Sequence, residues 1–288
     1  MEACGRVHLP CTRATEYTFY NLSDIHVGNV ACAKKALYKD IKAINDNKFA
    51  RWFATGDLGE YISARDKRHD FNCVDPEIFD TPKKLGNIGN TLTDWLVEKL
   101  DPIKDKCLGI GIGNHEWSYA VANNQENMQR SLCKELKANY LGYTAFVDTI
   151  FKRGKVESKA IRHFLCHGSG GAVTTGSKLK KLKDYMSTHE ANIYWIGHMH
   201  EDLTLPDELV TANRDCTKID TKLRIAMCSG SYFRTYVQGH TTYGERKGYH
   251  PTSLGASVIT LKPFHHKRNE DGSDNSRTLA RISKEYEL

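Results

Sequence analysis

Tyr17-Thr18-Phe19-Tyr20-Asn21-Leu22-Ser23 is an apolar-rich run that opens directly into Asp24-Ile25-His26-Val27-Gly28. The run reads as a buried strand. An acid, an imidazole and a glycine come directly after it. Moving outward, the same pattern returns four times. Residues 51–55 run into Gly56-Asp57, and residues 107–112 into Gly113-Asn114-His115-Glu116. Leu165-Cys166 leads to His167-Gly168, and Tyr194-Trp195-Ile196 leads to Gly197-His198-Met199-His200. Each time the chain leaves a hydrophobic strand it delivers an Asp, Asn or His.

Helical stripes separate these strands. Ala33, Leu37, Ile41 and Ile44 recur at helical spacing, as do Leu85, Ile88, Leu92, Trp95 and Leu96 before Pro102. Met128, Leu132 and Leu136 mark another helix, and Leu179, Leu182 and Met186 a later one. Further strands are expected near residues 143–151, 161–166, 192–196, 223–228, 257–261 and 278–283, with a polar hairpin loop over 265–276. The order is β-α-β-α-β-α and then more strands, so a three- or four-layer α/β sandwich is expected. No repeat or linker divides the chain. Residues 1–288 read as one domain, with long loop insertions near 59–84 and 201–253.

Composition narrows the function classes. The net charge of +6 and pI near 8.7 are compatible with a polyanionic partner. The nine cysteines are scattered, with no Cys-x-x-Cys pair, which suits reduced thiols in a cytosol-like compartment rather than a disulfide framework or zinc ribbon. Residues 1–17 contain no apolar run long enough for a signal peptide, and no stretch approaches a membrane span. A cytoplasmic protein without a membrane partner is expected.

The residue types at the strand ends explain one another. In an open α/β sheet, ligands bind outside the carboxyl ends of the strands. Asp, Asn and neutral His mix oxygen and nitrogen donors, which suits Mn²⁺, Fe or Zn²⁺ better than Ca²⁺. Asp24 and His26 can both turn inward only if the strand has ended and the loop bends; nearby glycines permit that. Two metals roughly 3.5–4 Å apart can share a carboxylate and clamp a phosphoryl group.

These five blocks, in this order across residues 24–200, resemble the signature of the calcineurin-like metallophosphoesterase superfamily. The resemblance implies a four-layer α/β/β/α sandwich of two mixed sheets flanked by helices. It implies two divalent ions, Mn²⁺ first, with Fe, Zn²⁺ and Ni²⁺ as alternatives. Asp24, His26 and His200 would hold one ion, Asn114, His167 and His198 the other, and Asp57 would bridge them. His115 would contact the phosphate and protonate the leaving oxygen, and Glu116, by adjacency, would orient His115. The implied reaction is attack on phosphorus by a metal-bridging hydroxide, with no covalent enzyme intermediate.

Comparison among branches points to a substrate class. Phosphoprotein phosphatases expect an Arg where Ile112 stands and an Asp-Arg-Gly triplet where Leu58-Gly59-Glu60-Tyr61 stands. Purple acid phosphatases need a metal-binding Tyr one position away from Tyr61, and usually secretion. The first two blocks are closer to DNA-repair nucleases and small phosphodiesterases, and the whole chain resembles uncharacterised members encoded by bacteriophages. The leading expectation is a phosphodiesterase acting on nucleic acid or a nucleotide. A phosphomonoesterase for a small metabolite, or a metal-bound interaction module without turnover, are the alternatives.

Other features have plainer readings. His8, His69, His163, His189, His265 and His266 read as core or surface residues. Residues 109–113 lack dinucleotide-loop spacing. The Gly168-Ser169-Gly170-Gly171 stretch reads equally as a phosphate cradle or a turn. Lys178, Lys180, Lys181 and Lys183 read as the wet face of a helix. The stretch with Tyr232, Phe233, Arg234, Tyr236, His240, Tyr243, Tyr249 and His250 reads equally as a substrate surface or a self-packed loop. Glu60, Tyr61, Arg65, Lys67 and Arg68 follow Asp57 and are expected to form one wall of the site. Glu60, Tyr232 and Arg234 are the substrate-binding candidates.

Overall fold

The computed structural model describes residues 2–63, 66, 68–123, 128–155, 157–251, 253–268 and 274–282. The elements in chain order are β1 (Glu2–Pro10), β2 (Tyr17–Asn21), α1 (Lys34–Asp46), β3 (Ala50–Ala54), α2 (Pro82–Leu85), α3 (Ile88–Leu100), β4 (Cys107–Gly111), α4 (Asn114–Ala122), α5 (Met128–Leu136), β5 (Tyr140–Gly142), β6 (Thr144–Arg153), β7 (Glu157–Cys166), α6 (Thr175–Thr188), β8 (Ile193–Ile196), β9 (Asp202–Ala212), β10 (Ile219–Ser231), α7 (Tyr243–Arg246), β11 (Gly255–Arg268) and β12 (Asp274–Ile282). No helix among the described residues is long and apolar enough to cross a membrane.

The strands form one large, curled, mixed sheet in the order β1-β6-β7-β8-β10-β11-β2-β3-β4-β5, with β9 on β10 and β12 on β11. Two separate sheets were expected. Instead the two halves are joined where β10 meets β11 through Gly230↔Ala256 and Ser231↔Gly255. Gly230 makes that junction sterically feasible: its φ is +61°, and a Cβ there would lie 2.3 Å from the Gly255 carbonyl oxygen.

The apolar side chains collect in three clusters. One packs α1, α3 and α5 against the β2–β5 half through Leu37, Trp52, Leu92, Ile110 and Leu132. A second draws on both halves of the sheet, with Phe19, Phe53, Phe151, Trp195 and Ile259 in contact range. The third packs Leu182 and Met186 of α6 against Phe164, Tyr194 and Ala226. Strands β3, β4 and β8 are buried almost throughout, which is why they read as short continuous apolar runs rather than alternating ones.

Several expectations change. β1 pairs in parallel with β6, so the sheet begins well before residue 17. The stretch 201–221, the first part of the insertion expected over 201–253, is mostly a hairpin: Ala212 pairs with Ile219, and Asn213 Oδ1 accepts from the Thr217 and Lys218 amides in the turn. Much of that hairpin is exposed, so no sharp burial pattern marks it. The polar loop expected over 265–276 is shorter, because the β11–β12 ladder continues to Arg268↔Asp274.

His163 has the core role expected of it. It is fully buried, accepts from Trp195 Nε1 at 3.1 Å, and lies 3.0 Å from Thr149 Oγ1. Burial pushes its pKa down to about 3, against a smaller upward pull from Asp148. An unfolded chain would titrate this group near 6.5. The unfolded state therefore binds more protons between these values, and stability falls as pH drops from about 6.5 toward 3. Wild type should lose up to about 1.4 kcal/mol per pH unit more than His163→Gln across that window. Urea unfolding at pH 7, 5.5 and 4.5 checks this, and equal slopes would refute it.

Candidate metal centre

The loops after β2, β3, β4, β7 and β8 meet at one place. Leu22 and Asp24 donate to the carbonyls of Phe53 and Gly56, and His26 to that of Asp57, so the first two loops run side by side. Gly56 and Gly113 are required by close approach: a Cβ on Gly56 would lie 2.2 Å from Gly113 N, and one on Gly113 2.1 Å from Asp57 Oδ1. The loops also bend unusually. Asp24, His26, Asp57, His198 and His200 have φ of 51°, 52°, 52°, 68° and 47°. Left-handed backbone is uncommon for non-glycine residues and costs of order 1–3 kcal/mol each. That five ligand-type residues share it reflects loops bent to turn side chains i and i+2 to the same side.

The side chains form two adjoining groups. Ligand atoms of Asp24, His26 and His200 lie within 4.8 Å of one another, as do those of Asp57, His167 and His198. Asn114 joins the second group, with Oδ1 3.0 Å from His167 Nε2. His26 Nε2 and His200 Nε2 are 3.1 Å apart. All seven sequence-predicted ligand positions thus come together, and all but Asn114, His198 and His200 are buried.

Surrounding hydrogen bonds set which atoms are free. His26 Nδ1 lies 2.8 Å from Glu60 Oε2, a pure acceptor, so Nδ1 carries the proton and Nε2 faces the cluster. His167 Nδ1 likewise donates to the Thr55 carbonyl at 2.9 Å. Its Nε2 faces Asn114 Oδ1 and, at 3.2 Å, Asp57 Oδ2. Burial alone would lower the His167 pKa; Asp57 and Asp24 overcome it and raise it to about 10. Asp57 is itself held well below the usual carboxylate range by His167 and His115, against its burial. This pocket demands positive charge, and the donor set of imidazole nitrogens and carboxylate or amide oxygens fits a transition-metal cation.

Glu116 has a different partner from the one expected. It does not orient His115. Its buried carboxylate accepts from the amides of Asp57 at 3.0 Å, Leu58 at 2.7 Å, Gly59 at 3.4 Å and Gly113 at 3.0 Å, tying the second loop to the start of α4. Burial, and then Asp57, push its pKa up to about 7. Glu116→Gln turns an amide NH₂ toward some of these donors, costing about 1–3 kcal/mol per unpaired group. A lowered thermal midpoint, with reduced metal affinity, is expected; an unchanged melting curve would contradict it.

His115 is held instead by Glu60, whose carbonyl accepts from Nδ1 at 2.7 Å. On its other side, Arg68 Nη1 is 3.2 Å from His115 Nε2. Asp66 grips the same guanidinium through Nε at 3.0 Å and Nη2 at 2.7 Å. The His115 amide donates to Asp57 Oδ1 at 2.9 Å, which places that carboxylate at the positive end of α4. Glu60 also accepts from Asn29 Nδ2 at 3.1 Å. Nothing in the spacing of the sequence marked Arg68 as a neighbour of His115, because the two are brought together by an irregular segment.

The centre opens into a cleft of about 420 Å³ lined by His26, Asp57, Glu60, Arg68, His115, His200 and Phe233 among others. Tyr232 and Arg234 are not part of it. Tyr232 is fully buried and donates to Asp40 Oδ2 at 2.7 Å, and Arg234 Nη1 donates to the Cys32 carbonyl at 3.2 Å. Alternation along the chain turns Phe233 to the cleft instead. Tyr61 is also buried, near Thr93. Lys178 leaves the wet helix face: it lines the cleft and pairs with Glu201 at 2.6 Å. Arg65 and Lys67 lie outside the described residues.

No family model matches the sequence, and no curated protein does. Among solved structures, the chain is similar to GAP50, the anchor in the inner membrane complex of Plasmodium, at 11% identity and TM-score 0.39, over 93% of this chain and 90% of that one. It is also similar to the NAD nucleotidase of Haemophilus influenzae at 10% identity and TM-score 0.36, over 91% of this chain and 53% of that one.

Proposed function

We propose that this chain is a phosphoester hydrolase of the calcineurin-like type that uses two divalent ions and acts on a phosphodiester of a nucleotide or nucleic acid. The observation that carries this reading is the convergence of seven ligand-type side chains from five loops, with the His26 and His167 tautomers set so that Nε2 faces inward. Asp24, His26 and His200 would hold one ion, Asn114, His167 and His198 the other, with Asp57 between them. Bound ions would supply Lewis acidity, acidifying water and offsetting phosphoryl charge. The three apolar clusters, one of them drawing on both halves of the sheet, support reading the curled sheet as α/β/β/α layers.

The chain's own residues supply the rest. The Glu60 carbonyl fixes His115 Nδ1–H, so Nε2 is the atom that would pass a proton to the leaving oxygen. Asp66 holds Arg68 through Nε and Nη2, and with His115 Nε2 protonated for proton transfer the Nη1 N–H groups, 3.2 Å away, would turn to a phosphoryl oxygen instead. A diester is read in preference to a monoester because the cleft, about 420 Å³, is lined beyond the centre both by residues between Gly170 and Lys178 and by residues between Tyr243 and Pro251.

The test is a paired assay on Mn²⁺-loaded protein, comparing bis-p-nitrophenyl phosphate with p-nitrophenyl phosphate. Diester preference, abolished by EDTA and restored by Mn²⁺, is expected. Monoester preference would replace this reading with a metabolite phosphatase. No hydrolysis of either, with metal bound, would favour a non-catalytic module.

A further inference from the structure

We infer that Tyr243, Tyr249 and Arg246 form a subsite for a nucleoside flanking the scissile phosphate, with the base lying against the tyrosines. This rests on the phosphoester reading above and names its substrate class.

The observation is a wall built outside the five ligand loops. The segment after Asp57 and the segment after β10 are bonded together along the cleft. Arg246 Nη1 lies 3.3 Å from Asp70 Oδ2, and His240 Nδ1 lies 2.9 Å from the Asn72 carbonyl. The Thr242 side chain caps the turn of α7 by accepting from the Glu245 amide at 3.1 Å, which holds Tyr243 and Arg246 on one short, anchored element. The wall is therefore a preset surface.

Its chemistry is selective. Tyr243 and Tyr249 line the cleft, remain 42% and 39% exposed, and meet edge to face at 6.2 Å. Lys247 Nζ lies over the Tyr243 ring, 5.8 Å from its centroid, so stacking falls chiefly to Tyr249, and every nucleobase has a π face to meet it. Arg246 lies beside them and can meet a phosphate, while Asp70 takes one side of its guanidinium. Phe233 continues the aromatic surface inward, with its ring 5.1 Å from that of His26. Rings, a cation and the proposed centre thus share one cleft whose volume, about 420 Å³, suits a nucleotide-sized ligand. An apolar peptide would leave Arg246 without an anionic partner from the ligand.

The experiment compares two diesters with the same leaving group: thymidine p-nitrophenyl phosphate and methyl p-nitrophenyl phosphate. Wild type should favour the thymidine ester. In Tyr249→Ala, and in the milder Tyr249→Leu, the loss of kcat/KM on the thymidine ester should exceed that on the methyl ester by roughly ten- to hundredfold. Equal kcat/KM for both esters in wild type, or equal losses in the variants, would overturn the subsite. If wild type hydrolyses neither ester, the phosphoesterase reading fails separately. Calorimetric titration with thymidine monophosphate then decides: binding weakened by Tyr249→Ala supports the subsite, and no binding to wild type overturns it.

Discussion

If the centre binds two ions as proposed, Asp57→Asn should abolish metal-dependent hydrolysis and weaken both ions together. Asp57 is buried, its Oδ2 is 3.2 Å from His167 Nε2, and its Oδ1 accepts from the His115 amide at the head of α4. Asn keeps the size but removes the charge and one acceptor. Neutralising a carboxylate that sits with His167 and His198, and that is proposed to bridge both ions, should cost more than the roughly 10–100-fold lost when an outer partner of a ligand is removed. Metal content after dialysis and calorimetric titration with Mn²⁺ read this directly. Loss of one ion with the other retained at full affinity would contradict the bridging placement. Because His167 and His115 outweigh the burial that opposes the Asp57 carboxylate, the substitution should also lower the melting temperature of the metal-free protein.

His115→Asn should leave metal content and melting temperature near wild type and lower turnover. The expected loss is ~10²–10⁴ with poor leaving groups, the usual range for a positioned general acid. With p-nitrophenolate, which leaves without a proton, the loss should be smaller. That contrast separates proton donation from mere packing. His115 sits 2.7 Å from the Glu60 carbonyl and 3.2 Å from Arg68, so the ring is already aimed. Burial opposes charge on it, but Asp57 and Glu60 outweigh that and raise its pKa, favouring the protonated form. Equal losses for good and poor leaving groups would remove His115 from the proton-transfer role.

The residues that meet at the candidate centre stand out in the sequence because short buried strands leave a strong mark. A run such as residues 107–112 must be apolar throughout, and the polar residues that end it stand out against it. Asp24, Asp57, Asn114 and His198 each come soon after such a run. Partners outside those loops left no comparable mark. Glu60 holds both His26 and His115, and Arg68 approaches His115, from a segment without periodicity. Tyr232 and Phe233 are adjacent and both aromatic, and only the local direction of the backbone sends one to Asp40 and the other to the cleft. The hairpin of β9 and β10 was missed for a related reason: exposed strands need no apolar alternation.

The alternation of buried strands and amphipathic helices, and the delivery of Asp, Asn and His at five strand ends, are written in residue order, since burial and backbone bending are local demands on each stretch of chain. The joining of two half-sheets through Gly230, the choice of Glu60 as partner of two histidines, the anchoring role of Glu116 and the aromatic wall are not. They depend on groups far apart in the chain meeting at hydrogen-bond distance, and only the packed tertiary structure decides which of them meet.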